Sequence, residues 1–350
     1  MHVLFASEEC AHPQLAIFEG NFGGLADPPE NADRYTLLRD SFVEEPKASG
    51  PLPPTDPGHS EELLARVHDP GYVSFLKKIL SPDSGIPPFP DSFPYRRSTV
   101  EIGDVRNGTR AAGWYATDTQ TPWHPGSVRA AFAAVSAGVT GADLVLEGET
   151  AALLCVLRPP GHHAGRDYAG GFCYLNTAAA AARSLAERSP GKQVVILDVD
   201  YHHGNGTQDI VDNPMPYTDR SCLPLHYCSL HADTRVAYPF YGGLSDGKHT
   251  SNSPLPLDTD IRNYRTALET ALARIPAADF VVVSYGTDCL NSDPVGGMRL
   301  TPADFRVIGE IIGGMGVPVL AVLEGGYDRR GLVAATIEFR HGIDAGSARL

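Results

Sequence analysis

The 350-residue chain has no run of about 18 apolar residues, so no membrane-spanning helix is expected. Its opening, MHVLFASEEC, lacks a basic stretch followed by a long apolar one, which argues against a secretory leader. No CxxC pair occurs. Cys10, Cys155, Cys173, Cys222, Cys228 and Cys289 are scattered, without the spacing of a small disulfide scaffold. Reduced thiols and a cytoplasmic location are the expectation. Basic residues are in deficit: 28 Lys and Arg against 42 Asp and Glu give a net charge of −14. That sign disfavours nucleic acid, whose phosphates demand Lys and Arg, and it attracts cationic ligands. Internal repeats and low-complexity tails are lacking too.

What is present is enough chain to bury a core without covalent staples. Residues 44–60, rich in Pro, Gly and Ser, read as a loop. Residues 81–97 (SPDSGIPPFPDSFPYRR) are Pro-rich but too aromatic for a free linker, and read as an ordered insertion shaping an entrance. Neither segment marks a domain boundary, and one domain over 1–350 is expected. From about residue 126 the pattern alternates. Helices are expected over 127–141, 176–188, 262–274 and 302–313. Buried strands are expected over Leu153–Leu157, Val194–Asp200, Phe280–Ser284 and Pro318–Leu323, short runs rich in Val, Ile and Leu. Such alternation predicts an α/β fold with a mostly parallel sheet flanked by helices. Ligands then bind beyond the carboxyl ends of the strands.

The chemistry-bearing residues fall at those ends. Val194–Leu197 runs into Asp198, Asp200, His202, His203 and Gly204-Asn205-Gly206. Residues two apart share a face in extended chain, so Asp198, Asp200 and His202 are expected to point one way. Burying such a triplet is costly unless a divalent cation neutralises it. Phe280–Ser284 leads to Asp288, which can supply a further ligand. Two carboxylates and an imidazole leave a position open for water, as catalysis requires. Zinc suits the set, as do Fe(II), Co(II) and Mn(II). After Leu153–Leu157, Pro159-Pro160-Gly161 presents His162 and His163, which titrate near neutral pH and suit acid–base work. After the last strand, Gly325-Gly326 precedes Tyr327, whose phenol can steady an oxyanion.

These pieces resemble the arginase/deacetylase superfamily, and within it the histone-deacetylase-like amidohydrolases. The matching stretches are RPPGHHAGRDYAGGFCYLN (158–176), ILDVDYHHGNGTQDI (196–210), YCSLHAD (227–233), GTDCLNSDP (286–294) and LEGGYD (323–328). SFPYRR (92–97), ARVHDPGYVSFLKK (65–78) and HPGSVRAA (124–131) are most similar to the acetylpolyamine amidohydrolases. The resemblance implies the arginase/deacetylase fold, with a central sheet of about eight strands. It implies that Asp200, His202 and Asp288 hold the catalytic metal. His163 would be general base and then acid, with Asn205 orienting it. His162, paired with Asp198, would be its electrostatic partner, and Tyr327 would polarise the scissile carbonyl. Gly171 would offer its carbonyl to the substrate amide, while Phe172 and Tyr238 would wall a narrow tunnel. Asp198, Asp200, His202, Ser229 and Leu230 would form a structural potassium site. A homodimer acting on a small acetylated amine, with no nucleic-acid or membrane partner, completes what is implied.

The two-manganese arginase centre needs further aspartates two residues past the shared ligands, where this chain has Gly204 and Leu290. One metal fits better. The chain also departs from the polyamine pattern: Gln120 stands where a glutamate reading the distal ammonium is expected. Asp118 is near, and Trp123 offers a cation–π face. Acetylated polyamines are therefore the expected substrates. Acetyl-lysine in proteins is the alternative, and a non-catalytic amine-binding protein on the same scaffold is a third.

Overall fold

The computed structural model describes residues 1–11, 18–19, 25–26, 28–45, 48–51, 61–81, 83–93, 108–216 and 224–349. Cys222, most of the 44–60 loop and residues 82 and 94–97 of the Pro-rich insertion lie outside them. The strands are β1 (His2–Phe5), β2 (Phe18–Glu19), β3 (Leu25–Ala26), β4 (Ala48–Pro51), β5 (Ala152–Val156), β6 (Val194–Asp198), β7 (His226–Ala232), β8 (Thr250–Leu255), β9 (Phe280–Tyr285) and β10 (Val319–Leu323). The helices are α1 (Ala32–Phe42), α2 (Glu61–Leu64), α3 (Pro70–Ile79), α4 (Gly108–Trp114), α5 (Pro125–Leu146), α6 (Thr177–Arg188), α7 (Asn205–Asp212), α8 (Ile261–Leu272), α9 (Asp304–Gly313) and α10 (Arg329–Ser347). Strands β2 and β3 pair antiparallel by themselves.

The other eight strands form one sheet in the order β4-β1-β5-β10-β9-β6-β7-β8, and every pairing is parallel. The expected α/β architecture and strand number are thus observed. Strands β5, β6 and β10 are buried along their whole length, and β9 at every residue after Phe280. This is why they read as unbroken apolar runs rather than alternating ones. Helices cover the sheet. The N-cap of α6 is Asn176, whose side chain accepts from the Ala179 amide, so the Ala-rich run starts sharply there. Helix α5 is long and apolar enough to cross a membrane by composition, yet 67% of its most apolar window is buried within the fold.

Topology assembles the site. Strands β5, β6, β9 and β10 are far apart in sequence but lie side by side as β5-β10-β9-β6. Because all run parallel, the four loops that follow them open on the same sheet edge.

Candidate metal centre and active site

Strand β6 ends at Asp198, two residues earlier than expected, and the chain then bends through Asp200, Tyr201 and His202. The three acidic and imidazole groups therefore do not share one face. The Asp198 carboxylate turns to His162 Nδ1 at 3.0 Å and to the Tyr227 hydroxyl at 2.7 Å. Asp200 and His202 instead meet Asp288, which follows β9. Donor atoms of Asp200, His202 and Asp288 all lie within 4.8 Å of one another, and all three residues are buried. His202 Nδ1 lies 2.9 Å from Asp288 Oδ2 and 3.3 Å from Asp200 Oδ1.

The donor chemistry fits a divalent cation. Burial and the neighbouring Asp200 push the Asp288 carboxyl up to about 7. Burial works against the charge on His202, but its bonds to Asp200 and Asp288 lift it to about 9. Burial also opposes ionisation of Asp200, yet His162 and His202 beside it hold its carboxyl below the usual range. A cluster that shares protons among buried carboxylates is one that a cation relieves. The cradle is shaped by glycine. A Cβ at Gly286 would strike the Asp200 carboxylate, and one at Gly325 would crowd both Asp288 and Asp200.

The two adjacent histidines are in different electrical settings. The rings of His162 and His163 lie 4.1 Å apart between centroids. Burial disfavours charge on His162, but the carboxylates of Asp200, Asp198 and Glu324 raise its pKa well above the ordinary value. Burial lowers His163 well below it, and the positive neighbours His162 and His202 add to the effect. His163 Nδ1 is 2.7 Å from Asn205 Oδ1. The same amide donates to the Tyr241 hydroxyl at 2.8 Å and the Tyr168 hydroxyl at 3.3 Å.

A cavity of about 220 Å³ is lined by Gln120, His163, Gly171, Phe172, Tyr201, His202, Val236, Ala237, Tyr238, Phe240, Val295 and Tyr327. Gly171, Phe172, Tyr238 and Gln120 therefore lie where the sequence placed them. Tyr238 meets His163 edge-on at 4.9 Å, and Phe172 meets Tyr327 at 5.7 Å. The Cys173 thiol donates to the Gly171 carbonyl at 3.3 Å. Trp123 is a correction. It is buried, its indole N–H donates to the Ala112 carbonyl at 3.0 Å, and it packs against Phe75 and Tyr174. Three residues separate it from Gln120, enough to turn its ring into the core and away from any ligand.

Sequence reasoning missed the groups that hold these loops. Asp293 accepts from four amides: Val295 and Gly296 on its own loop, Tyr327 at 2.6 Å and Asp328 at 3.0 Å on the next. Glu324, pushed up to about 7 by burial, accepts from the Gly161 amide at 2.5 Å and the His162 amide at 3.0 Å. Arg34 donates to the carbonyls of Glu324 and Gly326 and lies 4.8 Å over the Tyr327 ring. An acidic residue beside a motif was the only available signal, and it does not name a partner.

This sheet and the loops at its edge define the arginase/deacetylase fold class. The chain belongs to the histone deacetylase domain family, whose model matches residues 28–341. It is 38% identical over 283 residues to an acetylpolyamine amidohydrolase of Mycoplana ramosa, covering 77% of this chain and 79% of that one. It is 36% identical over 333 residues to acetylpolyamine amidohydrolase 2 of Pseudomonas aeruginosa, covering 90% of each. In three dimensions it resembles an acetylpolyamine aminohydrolase from Burkholderia pseudomallei with a TM-score of 0.84, at 27% identity and 99% coverage of both chains.

Proposed function

We propose that this protein hydrolyses the acetyl amide of acetylated cationic amines, N-acetylated polyamines first among them. The observation that carries the reading is the convergence of His163, His202 and Tyr327 on one cavity above the Asp200–His202–Asp288 cluster. The relatives at 36% and 38% identity that bear the polyamine name support the substrate class. The net charge of −14 suits a cationic substrate.

Asp200, His202 and Asp288 would hold the metal, zinc first among Zn(II), Fe(II), Co(II) and Mn(II). When bound, it supplies Lewis acidity at the carbonyl and acidifies water. The rest falls to the chain's own side chains. Asn205 fixes the proton of His163 on Nδ1, which leaves Nε2 free to accept one. His163, held neutral, takes the proton of the attacking water and returns it to the leaving nitrogen. His162, held cationic by Asp198, supplies a fixed positive charge beside it. The Tyr327 hydroxyl donates to the developing oxyanion. The Gly171 carbonyl accepts the amide N–H, while Phe172 and Tyr238 strip water from the acyl stem. The structural potassium remains part of the proposal. Its support is that Asp198 and Ser229 are register partners on β6 and β7, with Leu230 and the Asp200–His202 bend adjoining.

Membership of the histone deacetylase domain family keeps protein acetyl-lysine as the second reading. Turnover of acetylputrescine, acetylcadaverine and acetylspermidine, measured beside an acetyl-lysine peptide with metal content determined on the same sample, decides. Faster cleavage of the peptide overturns the polyamine reading. A metal-loaded sample that cleaves none of them overturns the enzyme reading.

A further inference from the structure

The segment after α4 runs alongside the Gly170–Phe172 wall of the cavity. The Ala169 amide donates to the Tyr115 carbonyl at 2.7 Å, and the Thr117 amide donates to the Ala169 carbonyl at 2.9 Å. The next two amides of that wall end on side chains. Gly171 N–H donates to Asp118 Oδ2 at 2.6 Å, and Phe172 N–H donates to Thr121 Oγ1 at 2.9 Å. Gly171 and Phe172 both adopt left-handed backbone, with φ of 55° and 67°. A phenylalanine stays there only where its surroundings over-determine it. The same Asp118 Oδ2 accepts the Tyr238 hydroxyl at 2.7 Å. Its other oxygen accepts the Gln120 amide at 2.9 Å. The approach is close: a Cβ at Gly170 would strike Thr117 Oγ1 and lie 3.0 Å from the Tyr238 hydroxyl.

We propose that Asp118 is a positioning and specificity residue. One carboxylate oxygen ties the Gly171–Phe172 wall to the Tyr238 wall and so sets the width through which an acylated amine must pass. Tyr238 in turn lies against His163, so the same tie steadies the ring that works on the substrate. The carboxylate is engaged by three donors in the protein, so its part is to hold the walls rather than to capture a ligand ammonium. This rests on the proposed function only for its kinetic consequence; the tie itself is a property of the folded chain.

The test compares wild-type protein with Asp118→Ala, Asp118→Asn and Tyr238→Phe, all loaded with zinc. Hydrogen exchange of peptides covering 168–176 is expected to speed up at least about tenfold in Asp118→Ala, with β6 and β9 unchanged. The kcat/KM ratio of acetylputrescine over an acetylated amine branched beside its nitrogen is expected to fall at least about tenfold, because the wider passage admits the branch. Asp118→Asn, which keeps one acceptor, is expected to lie between. Tyr238→Phe deletes one hydroxyl, leaves the Gly171 bond, and serves if Asp118→Ala does not fold. It should shift the substrate ratio with little change in exchange at 168–176. Unchanged exchange in the folded Asp118 variants overturns the tie. A loss that is equal on both substrates overturns the width assignment and leaves Asp118 merely structural. Should wild-type protein cleave no acylated amine, the proposed function falls and the exchange measurement alone decides on the tie.

Discussion

Nδ1 of His163 sits 2.7 Å from the side-chain oxygen of Asn205, an amide and not a carboxylate. The amide is itself oriented, because its nitrogen faces the hydroxyls of Tyr241 and Tyr168. An uncharged acceptor selects the tautomer of His163 without favouring its cation, which matters because burial already lowers its pKa well below the ordinary value. Asn205→Asp reverses that balance. A carboxylate raises the His163 pKa, and the neutral form that accepts a proton is populated only above that pKa. The acid limb of the kcat/KM profile is expected to move up by about one unit or more, with activity recovering as pH rises. A pH–rate profile checks this; an unmoved acid limb removes His163 as the base.

Tyr327 gives a cleaner prediction because its ring is held independently of its hydroxyl. Phe172 meets the ring edge-on, Arg34 lies over it, and Asp293 holds its backbone amide. Tyr327→Phe should therefore fold like the wild type. If the hydroxyl steadies an oxyanion, turnover of an acetylated diamine falls at least about a hundredfold. Turnover near normal in this variant excludes the phenol from the chemistry.

The Asp200–His202–Asp288 cluster ties metal to stability as well as to activity. An ion that binds only the folded chain stabilises it by about 4 kcal/mol at a thousandfold excess over its Kd. Chelation is expected to lower the melting midpoint, and added zinc to restore it. Asp288→Ala should remove both responses, together with the bound metal, when content and melting are measured on the same preparation. A midpoint indifferent to chelator in the wild type contradicts a metal at this cluster.

Legibility followed burial. Strands β5, β6, β9 and β10 were readable because buried parallel strands leave unbroken runs of Val, Ile and Leu. Strand β7, HYCSLHA, hides behind residues that serve the site, such as Ser229 and His231. Edge strand β8, TSNSPL, is half polar. The order β5-β10-β9-β6 is not written in any local pattern, since pairing depends on long-range contacts. At the site, spacing located Asp200, His202, Asp288, His162, His163 and Tyr327, since short motifs hold their residues at fixed offsets. It failed where a side chain's direction mattered: Asp198 turned to His162, and Trp123 turned into the core. The braces Asp118, Asp293 and Glu324 act across 53, 34 and 163 residues of sequence. No motif spans such distances.

His68 makes the last prediction, away from the metal cluster. Its ring bridges two loops: Nδ1 donates to the Gly165 carbonyl at 2.8 Å, and Nε2 accepts the Asn176 amide at 3.0 Å. A proton on Nε2 would face another N–H, and burial lowers the pKa to about 4 from an ordinary 6.5. The unfolded chain therefore binds this proton more readily than the folded one between those two values. Stability is complete above about 6.5, falls as pH drops through that window, and levels below about 4. At 1.36 kcal/mol per unit, the loss by pH 4.5 is about 3 kcal/mol. His231, lowered to about 4 mainly by burial, adds to the wild-type slope in the same direction. His68→Gln lacks one of these protonations, so its urea-unfolding free energy should fall by about 3 kcal/mol less than that of the wild type between pH 7 and 4.5. Equal losses in the two proteins would show that the neutral ring of His68 is not what joins the Gly165 and Asn176 loops.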